Sequence, residues 1–259
     1  MIMVCKTLGG SHAYGLSTPT SDVDLRGVYL NPDYTDIIGL TKSQDHVKQE
    51  GETDEMFHEL RKFLALLRKG NSQGVELLFT DKWIELTPQF RDIQLNRYRL
   101  IDVDKFFGVM KGYMGGELRL ANGERTGKLG SKRKEAIDKY GFSPKNFSHL
   151  LRLGWSASQF FLNGVFPVNI MEANPDLGKV LLRIKTNPEE FTVTQLNLMA
   201  AEGIEILIDS YKARRVESCF DEKYANKVCL LMYYPVLEKH FSMATGRIAG
   251  PQSNIVVNI

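Results

Sequence analysis

Two aspartates, Asp22 and Asp24, flank a valine at the head of an apolar run, Val23, Leu25, Val28 and Leu30, and a glycine pair, Gly9-Gly10, stands shortly before them. On a strand, residues two apart share a face, so both carboxylates project to one side while Val23 and Leu25 project into a core on the other. Side by side, two such charges repel, and a divalent cation reconciles them. Oxygen-only ligation suits Mg²⁺ or Mn²⁺, which bind through a few carboxylates and substrate phosphates. Gly9, Gly10 and Ser11 permit close backbone approach and open a short helix around His12 to Leu16, where free N–H groups face an anion. A phosphate cradle beside a magnesium site implies phosphoryl or nucleotidyl chemistry. The competing reading is a surface hairpin with solvated aspartates.

The wording Gly10-Ser11-His12-Ala13-Tyr14-Gly15-Leu16, then Thr18-Pro19-Thr20-Ser21-Asp22-Val23-Asp24-Leu25-Arg26-Gly27, resembles the signature of the DNA polymerase β-like nucleotidyltransferase superfamily. It is most similar to one branch, the RNA-ligase-associated predicted nucleotidyltransferases of bacteria and phages. The resemblance implies an α+β fold, with an N-terminal mixed sheet flanked by helices and a C-terminal helical domain closing a cleft. It implies an enzyme that moves a nucleoside monophosphate from an NTP to an acceptor hydroxyl and releases pyrophosphate, with Asp22 and Asp24 as metal ligands. A third carboxylate is expected on a neighbouring strand. Spacing leaves Asp54 and Glu59 open, and the resemblance favours Asp54, whose alternative role is a helix N-cap. The branch's association with RNA ligases points to an RNA end, such as a tRNA, as acceptor. A protein or small-molecule acceptor, a catalytically inert nucleotide- or RNA-binding module of the same fold, and a nuclease are the other readings.

The 259 residues allow one large domain or two modest ones, which we divide at 1–120 and 121–259. A hydrophobic share of 43% and a charged share of 25% are ordinary for a globular protein, and a net charge of +2 sets up no global field for nucleic acid or membrane. Basic surface must therefore be local. Cys5, Cys219 and Cys229 are odd in number and lack metal-ligand spacing, which suits free thiols in a reducing cytoplasm. Neither a signal peptide nor a membrane span is expected.

Along the chain, strands are expected at 1–8 and 22–30, with a further one near His46 to Gln49. Arg26 falls on the aspartate face, where it contacts phosphate or pairs with a carboxylate. His12 and Tyr14 either touch the nucleotide or brace the turn. A helix covers Arg61 to Lys69 and stops at Gly70-Asn71. Glu76 stands in the apolar run Val75, Leu77, Leu78, Phe79, so it needs a partner such as Arg61, Arg68, Lys82 or a helix N-terminus. Residues 83–120 read as mixed helix, with Gly112, Gly115 and Gly116 permitting a close helix contact or a break. Eight Lys/Arg against three acids lie between Glu124 and Arg152, and Gly127 to Lys134 reads as a basic loop. Ser143 and Pro144 then start a helix on which Lys145, His149 and Arg152 form one stripe, able to grip a triphosphate. Gly10, Ser11, Lys145, His149 and Arg152 are thus the candidate nucleotide contacts. Further helices are expected at Pro175 to Ile184, at Thr194 to Lys212 with Thr192 or Thr194 as cap, and at 221–240 with an interruption near Pro235.

Overall fold

The structure, a computed structural model, describes residues 1–38, 46–49, 53–124 and 131–248. The chain opens with β1 (Ile2–Gly9), the single-turn helix α1 (Gly10–Tyr14), β2 (Val23–Leu30) and α2 (Tyr34–Ile38). Then come β3 (His46–Gln49), β4 (Thr53–Glu59), α3 (Leu60–Arg68), α4 (Ser72–Phe79), β5 (Trp83–Leu86) and α5 (Pro88–Leu95). The remainder is helical: α6 (Val103–Ala121), α7 (Ser131–Tyr140), α8 (Pro144–Asn163), α9 (Ile170–Ala173), α10 (Pro175–Thr186), α11 (Val193–Lys212) and α12 (Glu222–Ile248). The fold is α+β, as expected.

The five strands form one mixed sheet in the order β3-β4-β2-β1-β5. β2 runs antiparallel to β1 and parallel to β4, with Gly9 opposite Asp24 and Asp24 opposite Asp54. Each face of the sheet has its own apolar set. Val28, Leu30 and Cys5 join the large core with α3, α4, α6 and α8. Leu25, Tyr29 and Phe57 form a smaller cluster on the opposite face, with Val23, Met3, Leu8 and Val47 against it. This corrects one expectation. Val23 and Leu25 do point away from the aspartates, but into the small cluster, because the aspartate face of the same strand carries the main core lower down.

Local chemistry sets most boundaries. Glu59, Asn71, Thr87 and Asp102 each accept a backbone N–H at the start of α3, α4, α5 and α6. Thr192 and Gln195 close a reciprocal capping box on α11. Gly70 ends the α3 turn at φ +73° against the backbone of Lys105 and Phe106. Other expectations fail for reasons that are physical. Trp83–Leu86 is an edge strand on β1 rather than helix, since four residues are too few to show a period. Helix α6 runs unbroken, and a Cβ at Gly112, Gly115 or Gly116 would meet nothing within 4 Å. Helix α12 continues through Pro235. Ser131 to Lys134 belong to α7, while the basic loop's residues 125–130 and the tail 249–259 lie outside the described residues. No described helix is long and apolar enough to cross a membrane.

Gly27 lies mid-sheet between Lys6 and Phe57, and a Cβ there would sit 2.2 Å from the Cys5 carbonyl oxygen. Gly27→Ala is expected to destabilise the fold by about 1–3 kcal/mol through overpacking, read from urea unfolding.

Candidate nucleotide and metal site

The glycine turn and the aspartate strand meet because Gly10 has no side chain. Gly10 sits at φ +56°, a conformation that favours glycine, and a Cβ there would lie 1.9 Å from Asp24 Oδ2. One position back, a Cβ on Gly9 would meet Arg26 Cγ at 2.7 Å. Asp24 therefore lies directly against the start of α1. The loop from Ser17 to Ser21 is tied by Thr18 N–H donating to Ser21 Oγ at 2.8 Å and Ser21 N–H donating to the Thr18 carbonyl at 2.9 Å. This tie delivers the chain to β2 with Asp22 just ahead of the strand and exposed.

Arg26 shares the aspartate face and is committed to it. It donates to Asp24 Oδ1 at 2.8 Å and to the Asp54 carbonyl at 3.1 Å. Asp54 stands beside Asp24 on β4, and its Oδ1 is buried with no hydrogen-bond partner among the described residues. Glu59, the other candidate for the third carboxylate, is removed from this cluster. It is 2% exposed, caps α3 through Arg61 N–H at 2.9 Å, and has its carboxyl pushed up by burial, against the pull of Arg61. So the helix N-cap is Glu59, and Asp54 is the strand residue.

Asp22, Asp24 and Asp54 offer hard carboxylate oxygens, the donor type Mg²⁺ or Mn²⁺ takes. The orphaned Asp54 Oδ1 fits a cation in particular, because a buried carboxylate oxygen without a donor is costly. Among the described residues, however, no three such side chains are already gathered at metal-binding separation. Asp24 and Asp54 form a pair, and Asp22 lies on the exposed approach to it.

Behind the turn lies a buried polar knot. Glu76 on α4 accepts from Arg152 Nη2 at 2.7 Å and from Tyr14 Oη at 3.1 Å. The Arg152 guanidinium also stacks on the Tyr14 ring, 3.5 Å from its centroid. Arg152 is fully buried. None of the partners expected for Glu76 is the one found, because Arg152 is 76 residues away and spacing carries no signal over that distance. The stripe on α8 is therefore not three solvent-facing cations. Lys145 is exposed, His149 is half-buried, and Arg152 is buried with its Nη2 on Glu76, while its Nε and Nη1 have no hydrogen-bond partner among the described residues. His149 bonds Tyr113 Oη at 3.0 Å, and burial, with Arg152 and Lys145 close by, pushes it down to about 3, so its ring is neutral near pH 7. Tyr14 braces the turn, and its hydroxyl is pushed well up by burial and the Glu76 charge.

Two further residues escaped sequence reasoning. Lys185 on α10 donates to the Leu16 carbonyl at 2.6 Å, and Asn169 lies against Gly15, where a Cβ would come within 2.5 Å of its Oδ1. Lys185 holds the turn's far end, Asn169 only packs against it, and neither has a motif. The turn, Arg26, Met56, His58 and Glu76 line a concavity on the aspartate face. His58 is pushed down by burial and by His46, Lys62 and Arg26.

Breaking the knot from one side leaves a buried charge alone. Arg152→Met or Glu76→Gln is expected to cost about 3–5 kcal/mol in urea unfolding, and the double variant less than the sum. The His149 ring binds its proton near pH 6.5 when unfolded and near 3 when folded. Its contribution to stability is therefore full above pH 6.5 and is lost as pH falls from there towards 3. His149→Gln should flatten that part of the stability–pH curve.

Comparison with known proteins bears on the same region. Residues 3–107 match the family described as the RNA repair pathway DNA polymerase beta family. An uncharacterized 38.9 kDa protein of enterobacteria phage T4 is 30% identical over 127 residues. That similarity covers 44% of this chain and 36% of the phage protein, so the chain matches well under half of its relative's length. The matched segment holds the whole glycine turn, both Asp24 and Asp54, and the sheet that aligns them. Over residues 3–107, then, this chain is similar to the RNA repair pathway DNA polymerase beta family.

Proposed function

We propose that this chain is a divalent-cation-dependent nucleotidyltransferase that moves a nucleoside monophosphate from an NTP to a hydroxyl at an RNA end. The observation that carries the reading is the pairing of Asp24 with Asp54 across β2 and β4, hard against Gly10. The family match over residues 3–107, with its RNA repair description, supports the RNA acceptor. Residues 1–120 form the catalytic unit, and 121–259 the helical unit that borders the cleft. Free thiols at Cys5, Cys219 and Cys229 suit a cytoplasmic setting.

In this reaction the acceptor hydroxyl gives up its proton to solvent, its oxygen bonds to the α-phosphorus, the bond from that phosphorus to the bridging oxygen breaks, and pyrophosphate leaves with the electron pair. Asp22, Asp24 and Asp54 would hold Mg²⁺ or Mn²⁺, which supplies charge neutralisation for the triphosphate and acidifies the attacking hydroxyl. Gly10 and Ser11 present backbone N–H groups to the β- and γ-phosphates. Arg26 fixes the Asp24 carboxylate in one rotamer. Lys145, exposed on α8, neutralises charge on the departing pyrophosphate. His149, neutral, offers a hydrogen bond rather than a charge. Arg152 acts one layer back, holding Tyr14 and so the turn.

One observation favours a second reading, an inert nucleotide- or RNA-binding module of the same fold: Asp24 is already neutralised by Arg26, and three metal donors are not gathered among the described residues. Pyrophosphate release separates the two. Purified protein with Mg²⁺, each NTP and RNA oligonucleotides of defined ends should release pyrophosphate and label one RNA end. Asp24→Asn and Asp54→Asn should each lower turnover by on the order of 100-fold or more with unchanged melting behaviour. NTP binding without pyrophosphate would support the inert module, and near-normal turnover of Asp24→Asn would end the catalytic reading.

A further inference from the structure

Helix α12 is apolar on two sides. One side, with Tyr224, Ala225, Val228 and Tyr233, is buried in the main core, and Arg61 lies over the Tyr233 ring at 5.7 Å. The other side carries Leu230, Leu231 and Tyr234, which are 64%, 62% and 56% exposed. A helix that is apolar all round normally has both sides covered. Lys227, Leu231, Tyr234, Glu238 and Phe241 follow one another at alternating steps of four and three, the spacing of a coiled-coil seam. Tyr234 Oη donates to Glu238 Oε1 at 3.0 Å, which lays the ring along that seam.

We propose that this seam is a two-fold interface between two copies of the chain, α12 packed antiparallel on α12. The order of charges sets the direction. A parallel, in-register pair would bring Lys227 onto Lys227 and Glu238 onto Glu238, which repel. An antiparallel pair about an axis between Met232 and Tyr233 brings Lys227 opposite Glu238, Leu231 opposite Tyr234, and Leu230 opposite Pro235. The two-fold repeats each contact, so an apolar centre is flanked by two opposite-charge pairs at its rim. The interface does not depend on the nucleotidyl transfer reading, and α12 contributes none of the residues assigned to that site.

The test is the mass of the full chain in solution, by light scattering after size exclusion over a wide concentration range. The wild type should reach the mass of two chains at the upper end. Leu231→Glu, on an exposed position, should raise the dissociation constant by about 30-fold or more with unchanged circular dichroism. Lys227→Glu and Glu238→Lys should each weaken the dimer, and combined in one chain they should restore it. A single-chain mass at every concentration would overturn the proposal, whether residues 249–259 or nothing covers the seam. So would a dimer indifferent to Leu231→Glu, or a charge exchange that fails to rescue.

Discussion

A carboxylate taken out of water must find compensating partners, and Glu76 finds two at once. Arg152 arrives from α8 and Tyr14 from the turn that opens the candidate site, and the guanidinium lies over the tyrosine ring. One side chain on α4 thereby joins the sheet region to the helical region. The geometry of the turn follows from it. Tyr14 closes α1, so a fixed Tyr14 means a fixed Gly10, and Gly10 is the backbone against which Asp24 lies. The Arg152 charge works through this chain of contacts rather than by reaching solvent.

Against that anchored turn, the sheet sets the spacing of the carboxylates. A parallel pairing of β2 with β4 makes Asp24 and Asp54 direct neighbours, and a slip of one residue would send Asp54 to the small cluster with Phe57. Leu25, Tyr29 and Phe57 on the far face hold that register. Arg26 then sets the two acids apart: Asp24 is bound and oriented, while Asp54 keeps an oxygen with no donor among the described residues.

Much of this was legible before any coordinates. Glycines before a strand, and aspartates alternating with apolar residues on it, carry a local period, and β1, α1 and β2 fall where that period puts them. Asp54 was legible only through family resemblance, since its neighbour in space is 30 residues away in sequence. What failed was non-local. Lys145, His149 and Arg152 do share a helix face, but helical spacing says nothing of what that face meets, and the face turned out to press Arg152 into Glu76. The partner of Glu76, the Lys185 contact and the four-residue strand β5 left no trace in their own neighbourhoods. Burial of an arginine is a tertiary fact, which a hydropathy pattern reads in the wrong direction.

The Lys185 ammonium binds a carbonyl 169 positions earlier in the chain, at the far end of the glycine turn. Contacts of such sequence separation carry a high loop-closure cost. During synthesis the sheet's own residues emerge well ahead of α8 and α10, so its glycine bend must wait, only half secured, until both helices have left the ribosome. Completion of the helical half is thus the event that matures the amino-terminal half.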